Sequence, residues 1–416
     1  MTSPEDKTSL KSGATFRSCI LPILFITALF FLNFIARIIP APLLPTIESD
    51  LGIGHGQAGS LFLIISAGYF ITLMGSGFFS SRFSHKKTIV LSAVALGLAL
   101  VTTSFCTRLW AFRVGLLFIG LASGLYLPSG LATITSLVDK RDWGKAVAIH
   151  ELAPNLSFVA APLVAEMLLL ILPWRGVFFL IGMLSLGLGL AFGRFSRGGK
   201  FPGEAPSFTA LRILFREPSF WIMLVLFSLG ISVTLGIYTM LPLFLVSEHE
   251  IPRSLANTVI SLSRISCVFM AFAGGFASDR FGPKRSIGII FVLSGLITVI
   301  MGNITGQGII PAVFLQPMIG ACFFPAGMAA LSSIGPASMR NVTVSMTIPF
   351  AFVLGGGVIP AAIGWVGEMG SFGFAISLVG WLTIMSAVLT HFLRIGFRQE
   401  GVVMPETSSE EGEAVM

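Results

Sequence analysis

Two arginines interrupt long apolar runs of this chain, Arg37 within FLNFIARIIPAPLLP and Arg264 within ANTVISLSRISCVFM. If those runs cross a membrane, each ionised side chain costs about 2.5–3.5 kcal/mol on insertion scales, so each is a candidate for function. A guanidinium is a planar fork of donors that matches a carboxylate or phosphate with two parallel hydrogen bonds and stays charged at any relevant pH. Asn33 precedes Arg37 by four residues, and Asn257 and Ser261 precede Arg264 by seven and three, so each arginine extends a polar stripe on one helical face. A polar stripe in a membrane helix faces protein or water. These five residues are therefore candidates to bind an anionic substrate. Two other readings stay open: Arg37 snorkelling to the membrane interface, and Arg264 tied to an acid or to backbone carbonyls. The chain has 38 phenylalanines and only three tyrosines, Tyr69, Tyr126 and Tyr238, a contrast that points to a use for the hydroxyl. They join the substrate-binding candidates, with Gln316 as a weaker polar one.

A second constellation lies between Trp143 and Leu172, where Glu151, Asn155, Val159, Pro162 and Glu166 follow helical steps of three and four residues and His150 adjoins the first acid. A glutamate in a low-dielectric site can load and release a proton, which would couple transport to a proton gradient. Glu151, His150 and Glu166 are the proton-coupling candidates. The competing reading pairs Glu151 and His150 with Lys145 or Arg141 near one helix end and leaves Glu166 solvated at the other.

The elements that must carry these residues follow from composition. With 54% hydrophobic and 11% charged residues the chain cannot cover itself with polar surface, since a soluble domain averages about 25% charged. Twelve apolar segments, near 18–46, 57–80, 88–106, 111–138, 145–172, 176–195, 219–247, 253–279, 286–303, 309–333, 341–367 and 372–396, are long enough to cross a bilayer. Twenty of the 26 lysines and arginines fall in loops and tails on one side, against Arg108, Arg175 and Arg253 opposite, which places both termini in the cytoplasm. That distribution argues against nucleic acid as the reason for a net charge of +7. No small-residue cleavage site follows the first 17 residues, so the N-terminus is expected to be retained. Cys19, Cys106, Cys267 and Cys322 are scattered without a CxxC pair, and neither a metal site nor a disulfide framework is indicated. The expected organisation is an N-terminal tail (1–17), a six-helix bundle (18–195), a linker rich in proline and charge (196–218), a second six-helix bundle (219–396) and an acidic, disordered tail (397–416).

The two bundles are copies. Gly275 and Asp279-Arg280-Phe281-Gly282-Pro283-Lys284-Arg285 repeat, 198 residues later, the stretch Gly77 to Lys87, with glycine, arginine and the terminal basic pair at the same offsets. Pro45 and Pro242, Pro128 and Pro325, and Pro162 and Pro360 keep an offset of 197 or 198. The later stretch resembles the loop motif GxxxD(R/K)xGxx(R/K) of the major facilitator superfamily. The resemblance implies twelve helices in two pseudo-symmetric halves, a central cavity, and a gating role for Gly275, Asp279, Arg280, Gly282 and Arg285. The first copy keeps Gly77 and Arg82 but has Ser81 for the aspartate and Ser84 for the glycine. Several families of the superfamily that carry organic anions place an arginine in the eighth helix, as Arg264 is placed here. The fifth segment has SFVAAPLVA where proton antiporters for drugs usually carry a glycine-rich GP motif. The fourth has Leu116, not arginine, in the position of the usual RxxxG, while Arg113 opens that segment.

The expectation is an all-α inner-membrane protein that carries a small organic anion, a carboxylate above all, by alternating access with proton coupling, as a monomer. Proton-driven efflux of amphipathic drugs is the alternative, and a non-transporting membrane sensor a more distant one. No GxxxxGK(S/T) stretch occurs, Gly355-Gly356-Gly357 follows no strand, and neither an enzyme, a cofactor nor ATP hydrolysis is expected.

Overall fold

A computed structural model describes residues 16–196, 198–203, 212–334 and 340–394. Most of the two tails and the middle of the linker lie outside those residues, as do Lys7, Lys11, Arg197 and Arg398. Among the described residues twelve helical spans are long and apolar enough to cross a membrane: Phe16–Leu51, His55–Phe83, His85–Ser104, Leu109–Leu137, Lys140–Leu169, Trp174–Phe195, Pro218–Ser247, Arg253–Phe281, Pro283–Asn303, Ile309–Leu331, Val342–Glu368 and Phe372–Phe392. They are numbered here as spans 1 to 12. No strand occurs among the described residues.

The duplication is visible in backbone detail. Spans 4 and 10 break at Leu125 and Cys322, which are 197 residues apart. In span 3 Gly97 meets the backbone of Gly182 in span 6, and in span 9 Gly295 meets Gly380 in span 12, a pair of crossings at an offset of 198. Absence of a Cβ lets each pair of helices approach to backbone contact, as small residues do in membranes generally. The turn between spans 8 and 9 passes through Gly282 at φ 80°, ψ 152°, and the turn between spans 2 and 3 through Ser84 at φ 77°, ψ 155°. Serine thus occupies a conformation that is essentially reserved for glycine.

Spans 1, 7 and 11 are interrupted where the halves face each other. Span 1 breaks after Ile38, where Pro40 opens its second helix. Spans 7 and 11 each widen into one π-helical turn, Ser232–Gly236 and Leu354–Val358. These turns pack together, with Gly236 against the carbonyl of Gly355. The triple glycine therefore serves helix contact. The start of the linker lies against the first loop copy: Lys86 N donates to Gly199 O at 2.7 Å, His85 N to Phe201 O at 3.1 Å, and Gly203 N to Ser80 O at 3.0 Å. Linker carbonyls thereby satisfy two of the orphan N–H groups at the start of span 3.

Candidate functional site

Arg37 ends the first helix of span 1, where the negative end of the helix dipole favours a cation. Its guanidinium is buried and lies 4.1 Å from the ring centre of Tyr69, 4.7 Å from Phe34 and 5.5 Å from Phe352. It does not reach an interface. With Phe62, Ile65 and Ser66 of span 2, Leu235 and Thr239 of span 7, and Phe352 and Gly356 of span 11, it lines a closed space of about 20 Å³, room for about one water. Both halves contribute walls to that space. The Arg37 Nε is buried and has no hydrogen-bond partner.

Arg264 lies behind this space in span 8. Its guanidinium stacks over Tyr238 at 4.7 Å and Phe158 at 5.0 Å, and Phe158 packs edge-on against Phe34 at 5.2 Å, so a two-ring wall separates the two cations. Nη2 donates to Thr234 O at 3.0 Å, while Nε is buried without a partner. The accepting carbonyl belongs to the π turn of span 7, a widened turn of the kind that recurs at functional sites. A backbone carbonyl does hold Arg264, as one of the open readings supposed, but no acid does. Among the described residues neither arginine forms a salt bridge.

The remaining substrate-binding candidates divide. Tyr69 and Tyr238 stand at the guanidiniums, and Tyr238 also donates to Phe158 O across the halves at 3.3 Å. Ser261 donates to Val159 O at 2.6 Å, again between halves. Asn33, Tyr126 and Gln316 each spend a polar atom on the backbone of their own half. Asn33 Nδ2 donates to Ser123 O at 3.1 Å, Tyr126 to Ile26 O at 2.7 Å, and Gln316 Nε2 to Val233 O at 2.6 Å.

The acid stripe of span 5 separates into two different things. Glu166 is neither free nor solvated: Oε1 accepts from Arg253 Nε at 2.9 Å and Asn257 Nδ2 at 2.6 Å, and Oε2 from Arg253 Nη2 at 3.2 Å. Arg253 Nη1 also donates to Thr46 Oγ1 at 2.8 Å, and Asn257 to Pro42 O at 3.1 Å. Span 8 is thus tied to spans 1 and 5 by an ion pair that crosses the halves. A second tie joins Glu368, at the end of span 11, to the Gly56 N–H in the first turn of span 2 at 2.8 Å. Glu151 is half exposed, with His150 Nδ1 at 3.2 Å. Lys145 and Arg141, its other expected partners, pair with Asp142 instead. His150 itself is fully buried, stacked on Phe30 at 4.3 Å, with Tyr126 Oη 3.1 Å from its Nε2.

Every hydrogen bond and ion pair between the halves among the described residues lies at the level of the arginines or toward the end opposite the basic loops. At the basic end Asp279 is exposed and makes no hydrogen bond or ion pair among the described residues. Arg280 and Arg285 flank the same turn and Arg82 its counterpart, while Gly275 and Gly77 lie two helical turns earlier, inside spans 8 and 2. A wider polar recess, about 400 Å³, lies in the second half alone between Glu248, His249 and Asn303. Burial lowers the His249 pKa, against the opposing pull of Glu248, whose carboxylate accepts from the N–H groups of Phe372 and Gly373 at the start of span 12.

A fold of twelve spans in two copies, closed at one end around a buried pair of cations, defines a membrane transporter. The profile of the Major Facilitator Superfamily matches residues 26–276, and the chain belongs to that family. It is 22% identical over 379 residues to the probable L-galactonate transporter of Escherichia coli (strain K12), covering 84% of this chain and 83% of that one. It is likewise 22% identical over 361 residues to the 4-hydroxybenzoate transporter PcaK of Pseudomonas aeruginosa, with 78% and 80% covered. Against the multidrug resistance protein MdtL of Klebsiella pneumoniae (strain 342) identity is 22% over 326 residues, with 75% and 80% covered. A bacterial homolog of the human lysosomal transporter Spinster, solved in an inward-facing and unoccupied conformation, superposes with a TM-score of 0.74 at 16% identity, covering 91% of this chain and 96% of that one.

Proposed function

We propose that this protein is a secondary transporter of a small organic anion, a carboxylate above all, working by alternating access in the bacterial inner membrane with both termini in the cytoplasm. One observation carries the reading: each half contributes a buried guanidinium at the face between the halves, and neither is neutralised by a carboxylate. A buried cation without an anion is costly, and a substrate carboxylate would supply the missing charge. The relatives named for galactonate and 4-hydroxybenzoate support an anionic substrate. With the basic end taken as cytoplasmic, the ties at Glu166 and Glu368 hold the outer side closed. Glu151, half exposed beside the buried His150, is the acid we assign to proton coupling, and Glu166 serves the outer closure.

Drug efflux is the second reading, favoured by the relatives named MdtL and by the apolar walls around Arg37. Thermal unfolding of the purified protein with carboxylates and with cationic dyes separates the two. Carboxylates should stabilise the wild type, Arg37→Ala should abolish that effect, and Arg264→Ala should reduce it. Arg37→Lys, which keeps the charge and loses the fork, should retain part of it. Stabilisation by dyes alone, unchanged in both variants, would establish efflux instead.

A further inference from the structure

We infer that the site at Arg37 selects a monocarboxylate with an apolar, ring-shaped body over a polyhydroxylated acid or a dicarboxylate; the inference rests on the anion-carrier reading. The guanidinium stands within cation–π distance of the rings of Tyr69 and Phe34, with Phe352 further off, and at least one of its in-plane donors is left for a ligand. Nε is such a donor, buried and unpaired. Stacking on rings and forked donation in the plane are compatible uses of one arginine. A carboxylate that meets this edge therefore lies in the plane of the guanidinium, between aromatic walls.

What surrounds the carboxylate decides the body. The walls of the space supply few hydroxyls: Ser66, Tyr69 and Thr239, and Thr239 already donates to Gly236 O at 2.8 Å. Phe62, Ile65 and Leu235 complete the enclosure. A sugar acid brings several hydroxyls that would lose water here without gaining partners, whereas a ring loses nothing by the transfer and finds offset or edge contacts with the phenylalanines. The second cation is withheld from this space: Arg264 stands behind Phe158, with one amino group on Thr234 O. A second carboxylate on the same ligand would face rings, not a guanidinium. The closed space holds about one water, so entry of a ligand requires the walls to part. Leu235 and Gly356 lie in the paired π turns of spans 7 and 11, which places that repacking at the joint between the halves.

The test is titration of the full-length protein in detergent, read by thermal unfolding and calorimetry, with benzoate, cyclohexanecarboxylate, gluconate, succinate and uncharged benzyl alcohol. Benzoate and cyclohexanecarboxylate should bind at least ~10-fold more tightly than gluconate or succinate, and benzyl alcohol should not bind. Phe352→Ala should shrink the ratio of benzoate to gluconate affinity, and Arg37→Lys should weaken benzoate and keep the order. Gluconate or succinate binding as tightly as benzoate, or a ratio unchanged in Phe352→Ala, overturns the ring selectivity and leaves the anion reading standing. Binding of benzoate and benzyl alcohol alike, undiminished in Arg37→Lys and Arg37→Ala, overturns the anion reading itself.

Discussion

Neutralising Glu166 should open the outer end of the transporter. In this conformation its carboxylate accepts three hydrogen bonds from span 8, two from Arg253 and one from Asn257, and it is one of two carboxylates that bind the halves together at that end. Side-chain exposure is 17% for Glu166 and 35% for Arg253, between a surface pair and a buried one. Exposed pairs contribute about 0–1 kcal/mol, and breaking a buried pair costs about 3–5. Glu166→Gln, which keeps an amide oxygen as acceptor but loses the charge, is therefore expected to weaken the closed outer face by about 1–3 kcal/mol. That shifts the balance between inward- and outward-facing states by roughly 5- to 150-fold. Spin labels at Leu170→Cys and Leu255→Cys, on exposed positions at the outer ends of spans 5 and 8, report the separation once Cys19, Cys106, Cys267 and Cys322 are replaced. The longer-distance population should grow in Glu166→Gln and in Arg253→Ala, and fall back in the charge-swapped pair Glu166→Arg with Arg253→Glu. An unchanged distance distribution in both single variants would refute the latch.

Ser84→Gly should raise the thermal midpoint, because a serine held at φ 77° gives up about 1–3 kcal/mol of strain against about 0.5–1 kcal/mol of added chain entropy, while Gly282→Ser should lower it. Glu151→Gln should abolish accumulation driven by a pH gradient and leave substrate exchange intact, since exchange moves no net proton; gradient-driven accumulation in the variant would exclude Glu151 as the coupling acid. Asp279→Asn should slow net transport in proteoliposomes with little change in substrate affinity, because Asp279 is unpaired in this state and free to act in the opposite one. Equal turnover of variant and wild type would remove that role.

Much of the architecture was legible, because a bilayer demands length and apolarity that composition alone reveals. Each of the twelve segments expected has its counterpart within several residues. The repeat offset read from the loop copies and prolines also governs Gly97 with Gly182 and Gly295 with Gly380, a correspondence the same arithmetic could have found. What was not legible concerns partners. Periodicity placed Glu166 on a stripe with Glu151, yet helix length puts them at different levels, where one meets an arginine of the other half and the other meets His150. Arg253 could have been added to the stripe of Asn257, Ser261 and Arg264, since it lies four residues before Asn257; it was set apart as an outer loop charge. Asn33, Tyr126 and Gln316 were polar residues in apolar helices, which sequence cannot divide into ligand donors and backbone ties. Phe34, Phe158 and Phe352 carried no signal among 38 phenylalanines. Their role follows only from standing at the guanidiniums. The first loop copy, with Ser81 and Ser84 in place of aspartate and glycine, gives no sign in sequence that Ser80, His85 and Lys86 receive the linker.

The central claim is that a buried arginine between the halves, Arg37 with Arg264 behind it, carries the substrate's charge, and uptake into proteoliposomes tests it most directly. Wild type, Arg37→Ala, Arg264→Ala and the double variant would be reconstituted at matched density, and radiolabelled benzoate entry measured under an imposed pH gradient. Removing one partner of a desolvated charge pair costs about 2–5 kcal/mol, so Arg37→Ala should lose at least about 30-fold in apparent affinity, Arg264→Ala less, and the double variant should show no saturable uptake. Saturable uptake by the double variant at the wild-type rate would contradict the account.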